Sequence, residues 1–329
     1  MSRIVRFHQL GGPEILKLED APLQQPGAGE VRLKVQACGL NRAESMFMHG
    51  MYLENPLLPA RLGYEAAGTV DAVGDGVDTA LLGKSVATIP GFSMNKYGVL
   101  GEQAIVPAHI LGEYPENLSV IQAAASWMQY LTAYGALIHI AKVQPGDFVV
   151  VTAASSSVGL AALQMIKVEG GVSIATTRNG KKTAELITLG ADHVIATDNE
   201  DLVARVKDIT GGKGARIIFD PVAGPFIEKL AMAAAYNGIL IEYGALSTAL
   251  TPLPLFAALR SGLTIRGYTL MELQNDQALL AAAKKYIYDR LKDGRFVPKI
   301  ARTFTLDRIK EAFEYLESNA QVGKIVVIV

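Results

Sequence analysis

From residue 148 onward, short apolar runs alternate with segments whose apolar residues recur at helical spacing. Strand-like runs lie at 148–152, 172–176, 192–195, 216–220, 238–243 and 263–268, and helical segments at 157–168, 181–189, 200–209 and 225–235. The run Phe148-Val149-Val150-Val151-Thr152 is unbroken, as in a strand covered on both faces. Val158, Ala161, Ala162, Met165 and Ile166 then mark one face of a helix. Six strands with helices between them predict an α/β domain built on a doubly wound parallel sheet. Residues 1–120 read differently. Apolar segments at 4–7, 31–37, 66–73 and 103–106 are separated by turns such as Gly11-Gly12-Pro13 and Gln25-Pro26-Gly27, a pattern that predicts a compact, mainly antiparallel β domain. Ser119 followed by Gln122 makes a capping box opening a helix through 123–128, and a second helical run covers 131–140. Near the end, a helix over 276–292, an amphipathic helix over 306–316 (Ile309, Ala312, Phe313 and Leu316 on one face) and a strand over 324–329 are expected to return to the first domain. The predicted division is 1–121 with 271–329, and 122–270.

Composition narrows the class. The chain has 329 residues, half of them hydrophobic, which is enough for two domains with a substantial core. Its formal net charge of -1 argues against nucleic acid as the main partner, because phosphate backbones require a concentrated basic face. The single cysteine excludes an internal disulfide and suits a reducing compartment. The first residues lack the apolar core of a signal peptide, and no apolar run reaches the ~18 residues of a membrane span, so a cytoplasmic protein is expected.

The candidate chemistry begins at the turn after the first strand of the α/β domain. Between strand and helix lies Ala153-Ala154-Ser155-Ser156-Ser157-Val158-Gly159. A small-residue turn there leaves the helix's free N–H groups and positive dipole end facing outward, a place for a pyrophosphate. Against G-x-G-x-x-G only Gly159 survives, with Ala154 and Ser156 at the other two positions. An ordinary strand–helix turn of small residues fits the same pattern. In dinucleotide folds an acid at the end of the second strand bonds the ribose 2′-hydroxyl, and a basic residue there takes a 2′-phosphate. That end reads Thr176-Thr177-Arg178-Asn179-Gly180-Lys181-Lys182, with no acid. Arg178, helped by Thr177 and Lys181 or Lys182, predicts NADPH over NADH.

Larger motifs carry a family resemblance. Gly63-Tyr64-Glu65-Ala66-Ala67-Gly68-Thr69-Val70-Asp71-Ala72-Val73-Gly74 resembles the G-H-E-x-x-G-x-V-x-x-V-G signature of medium-chain dehydrogenases/reductases. Cys38-Gly39-Leu40-Asn41-Arg42-Ala43-Glu44, with Gly50-Met51-Tyr52 downstream, the turn 153–159 and the late Gly323-Lys324-Ile325-Val326-Val327 resemble the quinone oxidoreductase, or zeta-crystallin-like, branch. The resemblance runs over essentially the whole chain in motif order. It implies a GroES-like, mainly β catalytic domain beside a Rossmann-type nucleotide domain. Relatives that are alcohol dehydrogenases hold catalytic zinc through a cysteine and the histidine of G-H-E. The matching positions here hold Asn41 and Tyr64, neither a usual zinc ligand, and a four-cysteine structural site cannot be built from Cys38 alone. No metal is expected.

Without a Lewis acid, the chemistry left is hydride transfer from NADPH to an acceptor that is already electrophilic: a quinone or an α,β-unsaturated carbonyl. The resemblance nominates Tyr52 for the polar contact at the acceptor oxygen, with Asn41 as its partner. Strand ends on the carboxyl edge nominate Val222, then Gly244, Ala245 and Leu246, then Thr269 and Leu270 as cofactor contacts, beside Ala154, Ser155, Ser156, Ser157, Val158, Gly159, Thr177, Arg178 and Lys182. Lys324 joins them by resemblance. Trp127, Tyr130 and Thr132 are expected to shape the pocket, and Phe92, Met94 and Tyr97 to cap it. Glu44 and Glu65 are expected to make structural hydrogen bonds. The edge at 263–268 is expected to join two copies as a homodimer. Two other readings remain open at this point: an enoyl-thioester reductase, and an NADPH-binding protein with a structural, RNA- or partner-binding role and little turnover.

Overall fold

The computed structural model describes all 329 residues, Met1–Val329, and divides into two compact units: Met1–Met128 with Tyr288–Val329, and Gln129–Ile287. In chain order the strands are β1 (Ser2–Phe7), β2 (Lys17–Ala21), β3 (Glu30–Gly39), β4 (Ala60–Arg61), β5 (Glu65–Val73), β6 (Ser85–Thr88), β7 (Gln103–Pro107), β8 (Leu111–Gly112), β9 (Phe148–Val151), β10 (Val172–Thr177), β11 (His193–Ala196), β12 (Ala215–Asp220), β13 (Ala234–Glu242), β14 (Thr264–Gly267), β15 (Ile300–Thr305) and β16 (Lys324–Ile328).

The second unit contains β9 to β14 in the spatial order β11-β10-β9-β12-β13-β14, all pairs parallel. This is the doubly wound order, with its reversal between β9 and β12. The four residues of β9 are pinned between neighbours on both sides, and Val149, Val150 and Val151 are wholly buried, which is why this run carries no polar alternation. The helix Ser157–Val168 buries Leu160, Ala161, Ala162, Met165 and Ile166. One strand begins earlier than the apolar pattern suggests. β13 starts at Ala234, directly after the helix Phe226–Ala233: Ala234 pairs with Ala215 ahead of an irregularity in the register, and the residues before Gly238 are at least partly exposed, so no apolar run marks them.

The first unit holds a three-stranded sheet, β2-β1-β4, and a larger sheet ordered β15-β16-β3-β5-β6-β8, with β7 also pairing β3. Its core gathers Val5, Phe7, Leu33, Phe47, Tyr64 and Val70 with Phe304, Phe313 and Val327 from the chain's end. Strand β16 pairs antiparallel with β3, bringing Val326, Val327 and Ile328 opposite Gly39, Cys38 and Ala37. Two helical expectations need correction. The capping box of Ser119 and Gln122 forms, but its helix is only Val120–Ala123, and a separate helix runs Trp127–Tyr134. The segment beyond it, Gly135–Ile140, winds as a π-helix rather than continuing as α. No helix is long and apolar enough to cross a membrane.

Candidate active site

Because β9 to β14 run parallel, the residues after them share one edge of the second unit's sheet. The chain leaves β9 through Thr152 and turns at Ala153, whose φ of 45° is unusual for a residue with a side chain. The tight turn therefore falls at Ala153 rather than at Ala154, which is wholly buried. Ser156 caps the following helix, its hydroxyl accepting from the Gly159 amide at 3.0 Å. Ser157 and Val158 open the helix, where amides have no carbonyl partner one turn back. A Cβ on Gly159 would stand 2.6 Å from the Ala154 backbone, so only glycine lets the helix sit this close to the turn. The free amides of the helix's first turn therefore follow directly on the turn at Ala153, the arrangement a pyrophosphate takes.

Beside it, β10 ends at Thr177 with Arg178 exposed on its tip. Lys182 reaches back, its Nζ donating to Ser155 Oγ at 3.0 Å. Burial first, then the Arg178 charge, pull the Lys182 ammonium below its ordinary pKa. Two cations and a turn serine thus converge, and no acid stands at this strand end as a ribose partner. Further along the edge, Leu246 donates its amide to Pro221 and Ser247 to Val222, each at 2.9 Å, tying the loop after β13 to the end of β12. Gly244 and Ala245 in that loop are exposed. After β14, Thr269 is exposed and Leu270 half-buried, while Tyr268 turns inward and donates to Leu131 O at 3.4 Å.

Beneath the edge lies a carboxyl pair that sequence reading missed. Asp220 and Glu242 are register partners on β12 and β13. Asp220 accepts from the Thr152 hydroxyl and from the Ala223 amide at 2.8 Å. No amide or hydroxyl donor reaches either oxygen of Glu242. Burial, then Asp220, raise its carboxyl to about 9, so at neutral pH Glu242 holds its proton. Tyr243, next in sequence, stacks on Phe219 at 3.9 Å between ring centroids.

The first unit holds the other candidate residues. Asn41 caps the helix Arg42–Met48 in a capping box with Glu44. Its side-chain nitrogen donates to Glu44 (3.1 Å), Glu65 (3.2 Å) and Gly39 O (3.3 Å), and its oxygen accepts from Lys324 Nζ at 2.5 Å. Lys324 also pairs with Glu65, and both side chains are about 1% exposed. The second Glu65 oxygen accepts from the Met128 amide at 2.8 Å. Glu44, wholly buried, accepts from the Asn41 and Tyr64 amides, and burial lifts its carboxyl to about 7 against the pull of Lys324 and these donors. Lys324 is therefore neither solvated nor available to a phosphate: both its partners lie inside this unit. Asn41, too, has its oxygen and nitrogen committed. These ties make the cluster rigid and leave Asn41 without a free polar end for a substrate.

Tyr52 is half-buried and its ring lies 6.3 Å from that of Tyr64, edge-on. The two phenols are close enough to influence one another's ionisation. Burial raises both phenols above their ordinary range, whereas Tyr64 alone works to ease ionisation of Tyr52. Phe92 packs on Tyr64 at 5.4 Å, and Tyr97 on Phe92 at 6.4 Å. Phe92 and Met94 are core residues here, and Tyr97 donates to Glu30 at 2.9 Å, so packing rather than a pocket cap is their role. Trp127 is 2% exposed against Gly112, and the wholly buried Tyr130 donates to Gln164 at 2.9 Å; neither lines an open wall. Cys38 is buried, its thiol raised to about 12 by burial, and is inert as a nucleophile. No three His, Cys, Asp or Glu side chains gather in a way that would hold a metal.

Comparison with known proteins agrees with this architecture. Residues 27–116 match the alcohol dehydrogenase GroES-like domain, and residues 189–327 match a family described as zinc-binding dehydrogenase. The chain is 32% identical to human quinone oxidoreductase across 100% of this chain and 98% of that protein. Its structure aligns with Escherichia coli quinone oxidoreductase complexed with NADPH at a TM-score of 0.91 and 29% identity, covering 100% of both chains. It aligns equally well, at 0.91 and 30% identity over 99% of each chain, with a crystal structure of an NAD-dependent alcohol dehydrogenase. The fold alone thus does not choose the nucleotide.

Proposed function

Because this chain belongs to the medium-chain dehydrogenase/reductase superfamily, in its quinone oxidoreductase branch, we propose that it is an NADPH-dependent reductase of quinones or α,β-unsaturated carbonyls that works without zinc. In this reading the unit Gln129–Ile287 binds the nucleotide, and the unit Met1–Met128 with Tyr288–Val329 carries the acid–base groups. The observation that carries the proposal is the edge-on packing of Tyr52 on Tyr64, 6.3 Å between ring centroids, at the place where the positions matching the zinc ligands hold Asn41 and Tyr64. The nicotinamide, when bound, supplies a hydride. The turn 153–159 takes the pyrophosphate on helix amides, and Arg178, Lys182 and Ser155 take the 2′-phosphate. Tyr52 donates a proton to the acceptor oxygen as negative charge develops there, and Tyr64 O–H steadies the phenolate that Tyr52 becomes. Asn41, Glu44, Glu65 and Lys324 hold the backbone beneath Tyr64 in place.

The test is NADPH oxidation by the purified protein, with and without a chelator, against an ortho-quinone, a para-quinone, an acyclic enone and an enoyl-CoA. Quinone or enone turnover that survives chelation and falls at least about tenfold in kcat with Tyr52→Phe is expected. Turnover only of the enoyl-CoA would move the assignment to an enoyl-thioester reductase. Tight NADPH binding with no turnover of any acceptor would sink the enzymatic reading.

The protein also acts as a homodimer in this proposal. Strand β14 ends the sheet and pairs only with β13. Beside it, the helix Leu255–Ser261 buries none of its residues, with Phe256 82% and Leu259 70% exposed. Leu250 and Leu253 continue this apolar surface. A monomer rarely leaves such a face in water, and an isologous contact across β14 would cover it. Phe256→Glu with Leu259→Glu is expected to halve the mass measured by light scattering. A wild-type chain that is already monomeric at micromolar concentration would refute the dimer. The single, buried cysteine suits a reducing, cytoplasmic location.

A further inference from the structure

A cavity in the first unit lies apart from the residues assigned above. It has a volume of about 280 Å³ and opens between β1, β4 and the segment around residues 95–105. Its walls carry four cations, Arg6, Arg32, Arg61 and Lys96, and no carboxylate. Arg6 and Arg61 stand directly opposite one another in the antiparallel register of β1 and β4. Like charges so placed repel. Three of the cations have some compensation: Arg32 pairs with Asp71 at 2.8 Å, Arg6 lies 3.6 Å from Glu19, and Lys96 sits over the Tyr97 ring at 4.7 Å.

Arg61 has no carboxylate. One of its terminal nitrogens donates to Gln103 O at 3.1 Å, and its buried Nε has no partner. Burial, with Arg6 adding to it, lowers its guanidinium to about 10, which still leaves it charged at neutral pH. Ser2, on the same wall, is 5% exposed, and its buried hydroxyl also lacks a partner. Arg61 and Ser2, each with an unmet buried polar atom, both line a cavity whose charged side chains are all cations, and an acceptor bearing negative charge is what such a lining lacks. The planar donor fork of arginine matches the oxygens of a phosphate or carboxylate.

We infer that this cavity binds a small oxyanion, a phosphate or carboxylate group, held by Arg61, Arg6 and the Ser2 hydroxyl. The test is calorimetric titration of the full chain with inorganic phosphate and with citrate at constant ionic strength. Saturating NADPH in the cell and syringe fills the turn 153–159 and the Arg178–Lys182 pair, the other places where a phosphate would bind. One saturable site is expected, weakened about tenfold or more by Arg61→Gln and less by Ser2→Ala. Tighter phosphate binding assigns a phosphate monoester as the natural ligand, and tighter citrate binding a polycarboxylate. Without anion, Arg61→Gln is expected to melt no lower than its parent, because the repulsion with Arg6 is relieved. If that variant does not fold, Arg6→Gln and Lys96→Ala take its place in the titration. Absence of saturable binding, or binding that these variants leave unchanged, would overturn the site, as would a marked loss of stability in anion-free Arg61→Gln.

Discussion

Arg178→Ala is expected to raise the KM for NADPH by about tenfold or more while leaving that for NADH within about twofold. The nucleotides differ only in the 2′-phosphate, so an effect confined to NADPH reports contact with that group. Arg178 is exposed at the end of β10, and Lys182 is half-buried beside it with its ammonium on Ser155. A charge-assisted hydrogen bond contributes about 1.5–3 kcal/mol, and tenfold in affinity corresponds to about 1.4 kcal/mol. The exposure of Arg178 argues for the lower end, since solvent screens its charge. Lys182→Ala should act in the same direction, and the double variant should bring the two nucleotides close to parity. There is also a pH signature. The Lys182 ammonium is depressed by burial and by Arg178 in the free protein. A dianion placed between the two cations favours the charged form, so NADPH binding should take up a proton when measured near the lysine's titration range. Equal losses with both nucleotides would mean that Arg178 only supports the turn, and the preference for NADPH would have no residue behind it.

How much of this could be read without coordinates differs between the two units. In the second unit the information is local. The unbroken β9 run, the small-residue turn and the basic end of β10 lie within about one strand–helix–strand repeat, so spacing alone places Ser155, Gly159 and Arg178 on one edge. The parallel order follows from the alternation of strands and helices. In the first unit the determining contacts are long-range. Lys324 meets Asn41 and Glu65 across 283 and 259 residues, and nothing near Lys324 in the sequence separates this buried pairing from a surface lysine. Tyr64 is legible as a residue unfit to bind zinc, but its packing against Tyr52 depends on how the loop after the helix Arg42–Met48 folds back. Strand β15 escaped notice because its apolar positions are few and it is only partly buried. The oxyanion cavity takes its four cations from positions 6, 32, 61 and 96, so no charge cluster is visible along the chain. Glu242 reads as one polar residue at a strand end until β12 sets Asp220 opposite it.

Lys324→Met should destabilise the first unit by about 3–5 kcal/mol, the cost of removing one partner from a buried ion pair. Methionine keeps the volume and the apolar stem, so the loss isolates the charge. The Glu65 carboxylate would keep only Asn41 Nδ2 and the Met128 amide, and the Asn41 oxygen would lose its donor. Trp127 is the chain's one tryptophan and is buried in this unit, so its fluorescence during denaturation reads this unit's unfolding apart from that of the other. The penalty should depend on pH, with a sign set by Glu44. Its carboxyl is raised to about 7 in the folded chain from an ordinary 4.5, even with Lys324 pulling it down. Between those values the folded protein holds a proton that the unfolded chain has released, so stability falls as pH rises through this window. Removing Lys324 takes away the one nearby cation and extends the window upward. The difference between variant and parent should therefore be largest near pH 8 and shrink toward pH 5. Glu65→Gln in the same chain removes the stranded charge while keeping an oxygen for the Met128 amide, and should recover more than half of the loss. A pH-independent loss that Glu65→Gln does not rescue would mean that Lys324 contributes through packing alone, and that the buried pair is not what holds Asn41 and Tyr64 in position.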